Sequence, residues 1–136
     1  ASGNDNARSL VLALEAEGRR LLFTGDVERR GELELLSQDP GALRCDLLKV
    51  AHHGSATSSS ARFLSAARPR LALLSSGVGN SFGHPSAGVL ARLTLAGARP
   101  LRTDLLGGIA LRWRRGSPLE IELPGSPRAV LARPSE

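Results

Sequence analysis

The sequence predicts a mixed α/β fold, because strand-like and helix-like segments alternate through its middle and further strand-like segments lie near its two ends. Apolar runs such as "LLKV" and "LALL" have the length of buried strands, and the segments between them have helical periodicity. This alternation favours a layered α/β arrangement, and the terminal segments add antiparallel pairs. At 136 residues the chain has the size of one domain.

The first half of the chain predicts a hairpin, a helix and a strand. Two apolar runs within residues 9–26 flank "EAEGRR", whose glycine suits a hairpin turn. The charged segment 27–38 has Leu33 and Leu36 three residues apart, which predicts a short amphipathic helix. Residues 46–50 predict a brief buried strand.

The second half predicts two helices with a strand between them, followed by three strands. A serine precedes the first helix, and the second begins after Pro85 and stops at Gly97. The predicted helices are 59–67 and 86–97, and the predicted strands are 70–76, 99–103, 108–113 and 119–123. We therefore predict a domain over residues 1–123 and a flexible tail over the Pro-containing residues 124–136.

Composition limits the classes of function. The chain has no run of about 18 apolar residues and no signal-peptide pattern, so the sequence predicts neither a membrane span nor a leader. The formal net charge is +5, and arginine supplies most of the positive charge because Lys49 is the only lysine. Arginine suits contacts with phosphate, but the same composition is typical of GC-rich genomes, and both explanations stay open.

Three residue counts add further expectations. The single Cys45 excludes an internal disulfide. Three phenylalanines, one tryptophan and no tyrosine are a poor supply for the stacking surfaces of single-strand binders. The chain contains no methionine, even at position 1, so we expect it to be a piece of a longer protein.

Polar side chains follow three of the predicted strands. Asp26 comes after "LLFTG", His52 and His53 come after "LLKVA", and Asn80 with His84 comes after "LALLSS". Strand ends of open α/β sheets gather functional groups, so these clusters meet at one edge if the three strands are neighbours.

An aspartate and imidazoles at one edge are typical ligands of Zn²⁺ or Mn²⁺. A carboxylate can also bridge two cations, as a two-metal hydrolase requires. Two structural alternatives stay open: each histidine can be a satisfied structural residue, and Asp26 can cap a helix that begins near Val27. The adjacent pair His52 and His53 predicts a loop, which Gly54 permits, because neighbours on a strand point to opposite faces.

The hydroxyl run from Ser55 to Ser60 also has two interpretations. It can be a helix N-cap with a loop, or a phosphate-facing lip at a helix N-terminus. Lys49 and Arg62 flank the run, and both interpretations stay open.

The motifs together resemble a known family, the metallo-β-lactamase-like domain at the C-terminus of the competence DNA-uptake protein ComEC. The matching segments are "NDNARSLVL", "RRLLFTGDVE", "CDLLKVAHHGSATSS", "RPRLALLSSG", "NSFGHP" and "GARPLRTDLLGGIAL". They cover about residues 4–111, and the combination of TGD, HHGS and GHP in this order is specific, although each motif alone is weak.

The resemblance implies an αββα metallo-hydrolase with two cations between its sheets. It assigns Asp26 as the bridging ligand, at least one of His52 and His53 as a ligand, and His84 as a ligand or a substrate-facing group, so that Asp26, His53 and His84 are the implied catalytic residues. By the same resemblance, Ser55 and Asn80 support the ligands or contact phosphate. Lys49 is expected to contact substrate with them.

One motif of the family is absent from this sequence. Such domains carry an upstream HxHxDH motif, but the three histidines here lie outside any such pattern. The resemblance therefore implies the C-terminal half of the sandwich, with an incomplete metal site. We expect an exposed apolar sheet face, and marginal stability of the isolated chain.

The resemblance implies a metal-dependent nuclease or phosphodiesterase that acts on DNA, with single-stranded DNA expected, during uptake. Its implied partners are the upstream half of the same domain and a membrane channel region, which makes it a soluble domain of a bacterial inner-membrane protein. Two alternatives stay open: hydrolysis of a small phosphoester, and a non-catalytic DNA-binding or scaffolding domain derived from a hydrolase.

Overall fold

The computed structural model describes residues 8–125 and the backbone of residues 129–131. Its strands are β1 (Leu12–Ala16), β2 (Arg19–Phe23), β3 (Leu47–Lys49), β4 (Leu71–Leu74), β5 (Arg99–Arg102), β6 (Ala110–Arg112), β7 (Leu119–Glu122) and β8 (Ala129–Leu131). Its helices are α1 (Arg29–Gln38), α2 (Ala61–Ala67), α3 (Ala87–Leu95) and α4 (Thr103–Leu106), and two 3-10 turns cover Pro40–Leu43 and Ala51–Gly54.

The strands form two sheets. The hairpin of β1 and β2 is antiparallel, as its glycine turn predicts. Strands β2 to β5 run parallel, because helical segments cross between them. The order of this large sheet is β1-β2-β3-β4-β5, and β6, β7 and β8 form a separate antiparallel sheet. The α/β class predicted from the sequence is confirmed.

Each face of the large sheet packs on a different layer, because side chains alternate between faces along a strand. On the helix side, sheet residues form one buried cluster with residues of α2 and α3, including Leu22, Leu48, Leu74, Phe63 and Leu93. On the opposite side, which we call the sandwich face, sheet residues form a second cluster with β7, including Leu21, Leu47, Leu71, Leu119 and Ile121. The described layers are therefore helices, large sheet and small sheet.

Two elements differ from the sequence prediction. Helix α4 follows β5 directly and was not predicted. Strand β8, which was not predicted, pairs with β7 inside the segment 124–136, and the flexibility expected for this segment stays a prediction. Residues 126–128 and 132–136 of that segment lie outside the described residues.

The sandwich face extends beyond the area that the small sheet covers. Leu12 pairs with Phe23 and Leu14 pairs with Leu21, and paired residues share a face. Leu12, Leu14 and Phe23 are 53%, 50% and 39% exposed. The exposed apolar surface expected from the sequence is therefore present, and the marginal stability of the isolated chain stays a prediction.

We expect the isolated chain to self-associate through this surface. The double variant Leu12→Thr/Leu14→Thr should weaken the association by roughly tenfold or more, since burying one leucine contributes about 1.5–3 kcal/mol. Threonine keeps the strand propensity of the edge strand. Sedimentation velocity over a range of concentrations measures the effect. The control is Leu95→Gln, which changes an exposed leucine of α3 and should leave association unchanged; a monomeric wild-type chain would contradict the expectation.

Candidate metal centre

The turn after β2 places Asp26 at the carboxyl end of the large sheet. Gly25 has a φ of +53°, and a Cβ there would lie 3.2 Å from the Leu10 carbonyl oxygen, so glycine lets the two segments approach. The Asp26 backbone N–H donates to Ser9 Oγ at 3.2 Å. Asp26 does not take the helix-capping role that the sequence left open, because Glu28 occupies the N-cap of α1. The half-buried Asp26 carboxylate therefore keeps its predicted place at the strand end.

The adjacent histidines lie on a strained turn after β3. His52 and His53 have left-handed backbones, with φ of 47° and 54°, and such residues cost of order 1–3 kcal/mol each. A Cβ on the following Gly54 would lie 2.6 Å from Cβ of Pro85, so only glycine allows this turn to pack on the segment that carries His84. The loop conformation predicted for the histidine pair is confirmed.

Hydrogen bonds determine which ring nitrogen of each histidine can bind a ligand. Nδ1 of His52 lies 3.1 Å from Glu28 Oε1, and Nδ1 of His53 lies 2.6 Å from the Ser75 carbonyl oxygen. Because carboxylate and carbonyl oxygens accept, Nδ1 donates in both pairs, and each neutral ring carries its lone pair on Nε2. Metal-binding histidines are commonly oriented in this way.

His84 lies on the loop between β4 and α3, which Asn80 closes. Asn80 Nδ2 donates to the carbonyl oxygens of Gly77 and His84 at 3.0 and 2.7 Å, and its Oδ1 accepts from the His84 N–H at 3.0 Å. Since these bonds use both ends of the amide, Asn80 holds the loop around His84, and the substrate contact predicted for Asn80 stays a prediction. In the described part of the chain, His84 Nδ1 is buried without a hydrogen-bond partner, so this nitrogen fits the role of a ligand atom that the sequence predicts for His84.

The three imidazoles come together next to the turn of Asp26. The ring centroid of His52 lies 6.5 Å from that of His53 and 5.8 Å from that of His84. The His52 N–H donates to the Gly25 carbonyl oxygen at 3.0 Å, which joins the two turns. Within the residues that the structure describes, no group of three or more histidine, cysteine, aspartate or glutamate side chains can hold a metal ion. The donors suit Zn²⁺ or Mn²⁺, and the described residues supply part of such a site.

Lys49 ends β3, close enough to Asp26 for the two charges to interact. Its Nζ donates to the Val50 carbonyl oxygen at 3.0 Å. Burial lowers the pKa of Lys49, and the negative charge of Asp26 acts in the opposite direction. Contact between this ammonium group and a substrate stays a prediction.

The hydroxyl run forms a helix cap, which was one of its two predicted roles. Ser60 accepts a hydrogen bond from the Phe63 N–H at 3.3 Å and caps α2. Ser55 is buried, and its hydroxyl pairs with Thr57 Oγ1 at 3.0 Å. Ser55 therefore stabilises the turn, and the substrate contact predicted for it is not supported.

Two side chains that the sequence analysis missed hold the same run. Glu32 is 1% exposed and accepts from the backbone N–H groups of Ser59 and Ser60, the second at 3.0 Å. Arg92 donates to the carbonyl oxygens of Ser58 and Ser59 at 2.9 Å each. We call Glu32 and Arg92 the loop clamp. Because Glu32 already uses these N–H groups, the phosphate-facing lip predicted as the other role of the run is wrong.

One half of the loop clamp carried a signal in the sequence. Arg92 is the only charged residue within α3, and a lone charge in an apolar helix indicates a specific partner. Glu32 is one of several charged residues in α1, so no local pattern distinguishes it.

Cys45 takes no part in the chemistry. Burial and the neighbouring Asp46 carboxylate raise the pKa of the Cys45 thiol to about 12. The thiol is therefore neutral near pH 7, where only a thiolate would bind a metal or act as a nucleophile.

Residues 3–78 match the family described as the Metallo-beta-lactamase superfamily. The chain belongs to this superfamily. The match includes Asp26 and the histidine turn, and it confirms the family that the motifs indicated. The partial metal site therefore lies in a metallo-beta-lactamase domain.

This metallo-beta-lactamase domain is similar to three curated proteins, whose names refer to competence, to the ComE operon and to recombination. It is 42% identical to Competence protein ComA of Neisseria gonorrhoeae over 113 residues, which are 83% of this chain and 16% of that protein. It is 39% identical to ComE operon protein 3 of Bacillus subtilis over 109 residues, 80% of this chain and 14% of that protein. It is 38% identical to Recombination protein 2 of Haemophilus influenzae over 89 residues, 65% of this chain and 11% of that protein. The chain thus spans less than a fifth of the length of these curated relatives.

No helix in the described part of the domain combines the length and apolarity needed to cross a bilayer.

Proposed function

We propose that this metallo-beta-lactamase domain is a metal-dependent phosphodiesterase that cleaves DNA. The observation that carries the proposal is the cluster of His52, His53 and His84 at the carboxyl end of the large sheet. Protein oxygens hold Nδ1 of His52 and His53, so both Nε2 atoms are left for cations next to the turn of Asp26. Strained backbone at this turn also supports a functional role.

Charge and relatives support DNA as the substrate. The formal net charge of +5 attracts a polyanion. The names of two relatives refer to competence and to recombination, which are processes that act on DNA. We propose unpaired DNA as the substrate, and a setting within a longer bacterial inner-membrane protein, where the domain works beside a channel region and an upstream half of its own fold.

Each residue of the site has a distinct task in this proposal. Asp26, His52, His53 and His84 would supply part of the ligands of the cations, and the upstream half of the fold would supply the rest. When bound, Zn²⁺ or Mn²⁺ supplies Lewis acidity, which lowers the pKa of water and stabilises charge that develops on phosphate. Glu28 keeps the proton of His52 on Nδ1.

Lys49 and Asn80 assist the histidines in different ways. The Lys49 ammonium group is close enough to Asp26 for their charges to interact, and its positive charge favours a phosphate oxygen. Asn80 fixes the backbone of His84 through two hydrogen bonds, and a third to the Gly77 carbonyl oxygen anchors the loop, which limits the positions that the His84 ring can take.

The test uses the protein in the full length that its gene encodes, after EDTA has removed bound metal. We expect Mn²⁺ or Zn²⁺ to restore cleavage of a labelled single-stranded oligonucleotide, measured on gels, and renewed chelation to abolish it. DNA binding should weaken steeply with salt, because phosphate contacts release counterions. A chromogenic phosphodiester is assayed in parallel.

Two results would contradict this function. Hydrolysis of the chromogenic ester without cleavage of DNA would indicate a small phosphoester as the substrate. DNA binding without hydrolysis, in the presence of any of the cations, would indicate a non-catalytic DNA-binding or scaffolding domain.

A further inference from the structure

We infer that Phe82 is a stacking surface for an unpaired nucleobase next to the phosphate that the histidine cluster receives. The inference rests on the proposed function, because it assigns a contact for the nucleotide at that same site. It adds a residue that selects unpaired over paired nucleic acid.

Phe82 exposes its apolar ring to solvent, which is energetically unfavourable. Its side chain is 80% exposed, whereas Phe63 is 2% exposed in the core and Trp113 donates its Nε1–H to the Ala16 carbonyl oxygen at 2.9 Å. Phe23 lies on the sandwich face. Phe82 is therefore the aromatic side chain of this chain that faces solvent beside the candidate metal centre.

The ring of Phe82 extends the row of imidazoles outward. Its centroid lies 5.9 Å from that of His84 with an angle of 18° between the planes, an offset stack. His84 in turn lies 5.8 Å from His52. Since one face of Phe82 is turned to His84 and the ring is mostly exposed, the outer face is available to a second planar group.

The loop that carries Phe82 is held at both ends. Asn80 bonds across to His84, as described above, so Phe82 lies within a closed turn. At the start of the loop, the Ser76 N–H donates to Thr103 Oγ1 and the Thr103 hydroxyl donates to the Ser76 carbonyl oxygen, both at 2.9 Å. A ring on a fixed loop offers a stacking surface at little cost in ordering.

Nucleobases suit this ring better than other partners. A base is planar and lies one sugar away from its phosphate, so a phosphate at the imidazoles places its base near the next ring outward. Stacking on an aromatic side chain is tolerant of sequence and requires a base that is unpaired and exposed. Paired bases inside a duplex offer no free face to Phe82.

The test compares two oligomers of equal length and charge, oligo-dT and its abasic analogue, in EDTA so that hydrolysis is prevented. The protein, in the full length that its gene encodes, should bind oligo-dT more tightly than the abasic oligomer by roughly 5- to 100-fold in fluorescence anisotropy. Phe82→Ala should reduce the affinity for oligo-dT to that for the abasic oligomer, and Phe82→Trp should keep the difference. The control Val78→Ala, which changes an 84% exposed residue of the same loop, should alter neither affinity.

The outcomes separate this inference from the proposed function. Equal affinities of the wild-type protein for the two oligomers would overturn the stacking role, even if metal-dependent cleavage of DNA is observed. A base-dependent affinity that Phe82→Ala removes would support the stacking role, even if no cation restores cleavage. If Phe82→Ala and Val78→Ala both reduce binding to anionic lipid vesicles and neither changes binding of oligo-dT, the loop contacts membranes and the inference is wrong.

Discussion

Replacing Asp26 by alanine is expected to lower metal-stimulated hydrolysis by more than about 100-fold while the domain stays folded. Losing a group that only orients a metal ligand costs roughly 10- to 100-fold in metal affinity or activity, and the loss of a carboxylate that binds cations directly should exceed it. The turn is held by the Asp26 backbone N–H, which alanine keeps. Cleavage rates at saturating Mn²⁺ and calorimetric titration with the metal measure the two effects separately.

Two further variants calibrate this result. Asp39→Ala removes an exposed aspartate at the other end of α1, which accepts from the Gly41 and Ala42 N–H groups, and it should retain hydrolysis. Glu28→Gln, which weakens the hydrogen bond to His52 Nδ1, should lower metal affinity by an intermediate factor of about 10. Retained hydrolysis in Asp26→Ala would remove this carboxylate from the mechanism.

Local sequence determined most of the elements. The apolar runs that became β3 and β4 have few other ways to bury their side chains, and Ser60 and Ser86 cap the helices that follow them. The hairpin of β1 and β2 follows from a glycine between two apolar runs. Such features depend on residues a few positions apart, and for this reason they can be predicted from one sequence.

The candidate site could be predicted only in part, because its geometry depends on distant contacts. The strand ends that carry Asp26 and the histidines were identified from their order along the chain. The approach of the histidine turn to His84 instead requires Gly54 to pack on Pro85, 31 residues away in sequence numbering, and nothing local encodes that contact. The hydrogen-bond partners of Ser55 and Asn80 could not be predicted for the same reason, since they lie within turns whose shape was unknown.

Helix α1 shows how a tertiary contact overrides a local pattern. The spacing of Leu33 and Leu36 predicted an amphipathic helix with these leucines on its apolar side, but Leu33 is 46% exposed. The helix instead turns Gly31 and Glu32 inward, where a Cβ on Gly31 would lie 3.1 Å from Val27 Cγ1. The charged hydrogen bonds of Glu32 to the hydroxyl run thus take the place that the pattern gave to Leu33.

Replacing Glu32 by alanine is expected to lower the free energy of unfolding by about 2–6 kcal/mol. The variant leaves the backbone N–H groups of Ser59 and Ser60 without their acceptor, and each buried N–H left unpaired costs roughly 1–3 kcal/mol. Urea denaturation followed by circular dichroism measures the change. The matched control is Glu34→Ala two residues later, whose side chain is 55% exposed and pairs with Arg30, and it should change stability by less than about 0.5 kcal/mol. Equal effects of the two variants would contradict the role of Glu32.

The two residues of the loop clamp should be energetically coupled. Glu32 holds the N–H groups and Arg92 the carbonyl oxygens of the same short segment, so removing one frees the backbone on which the other acts. Glu32→Ala combined with Arg92→Ala should therefore lower the free energy of unfolding by less than the sum of the single changes, with a difference of about 0.5–3 kcal/mol.

The histidine turn begins this same loop, so each single variant should also bind Mn²⁺ more weakly in conditions where it is still folded. A loss of global stability alone would leave the metal affinity of the folded fraction unchanged, and strictly additive energies would show that the two side chains act independently.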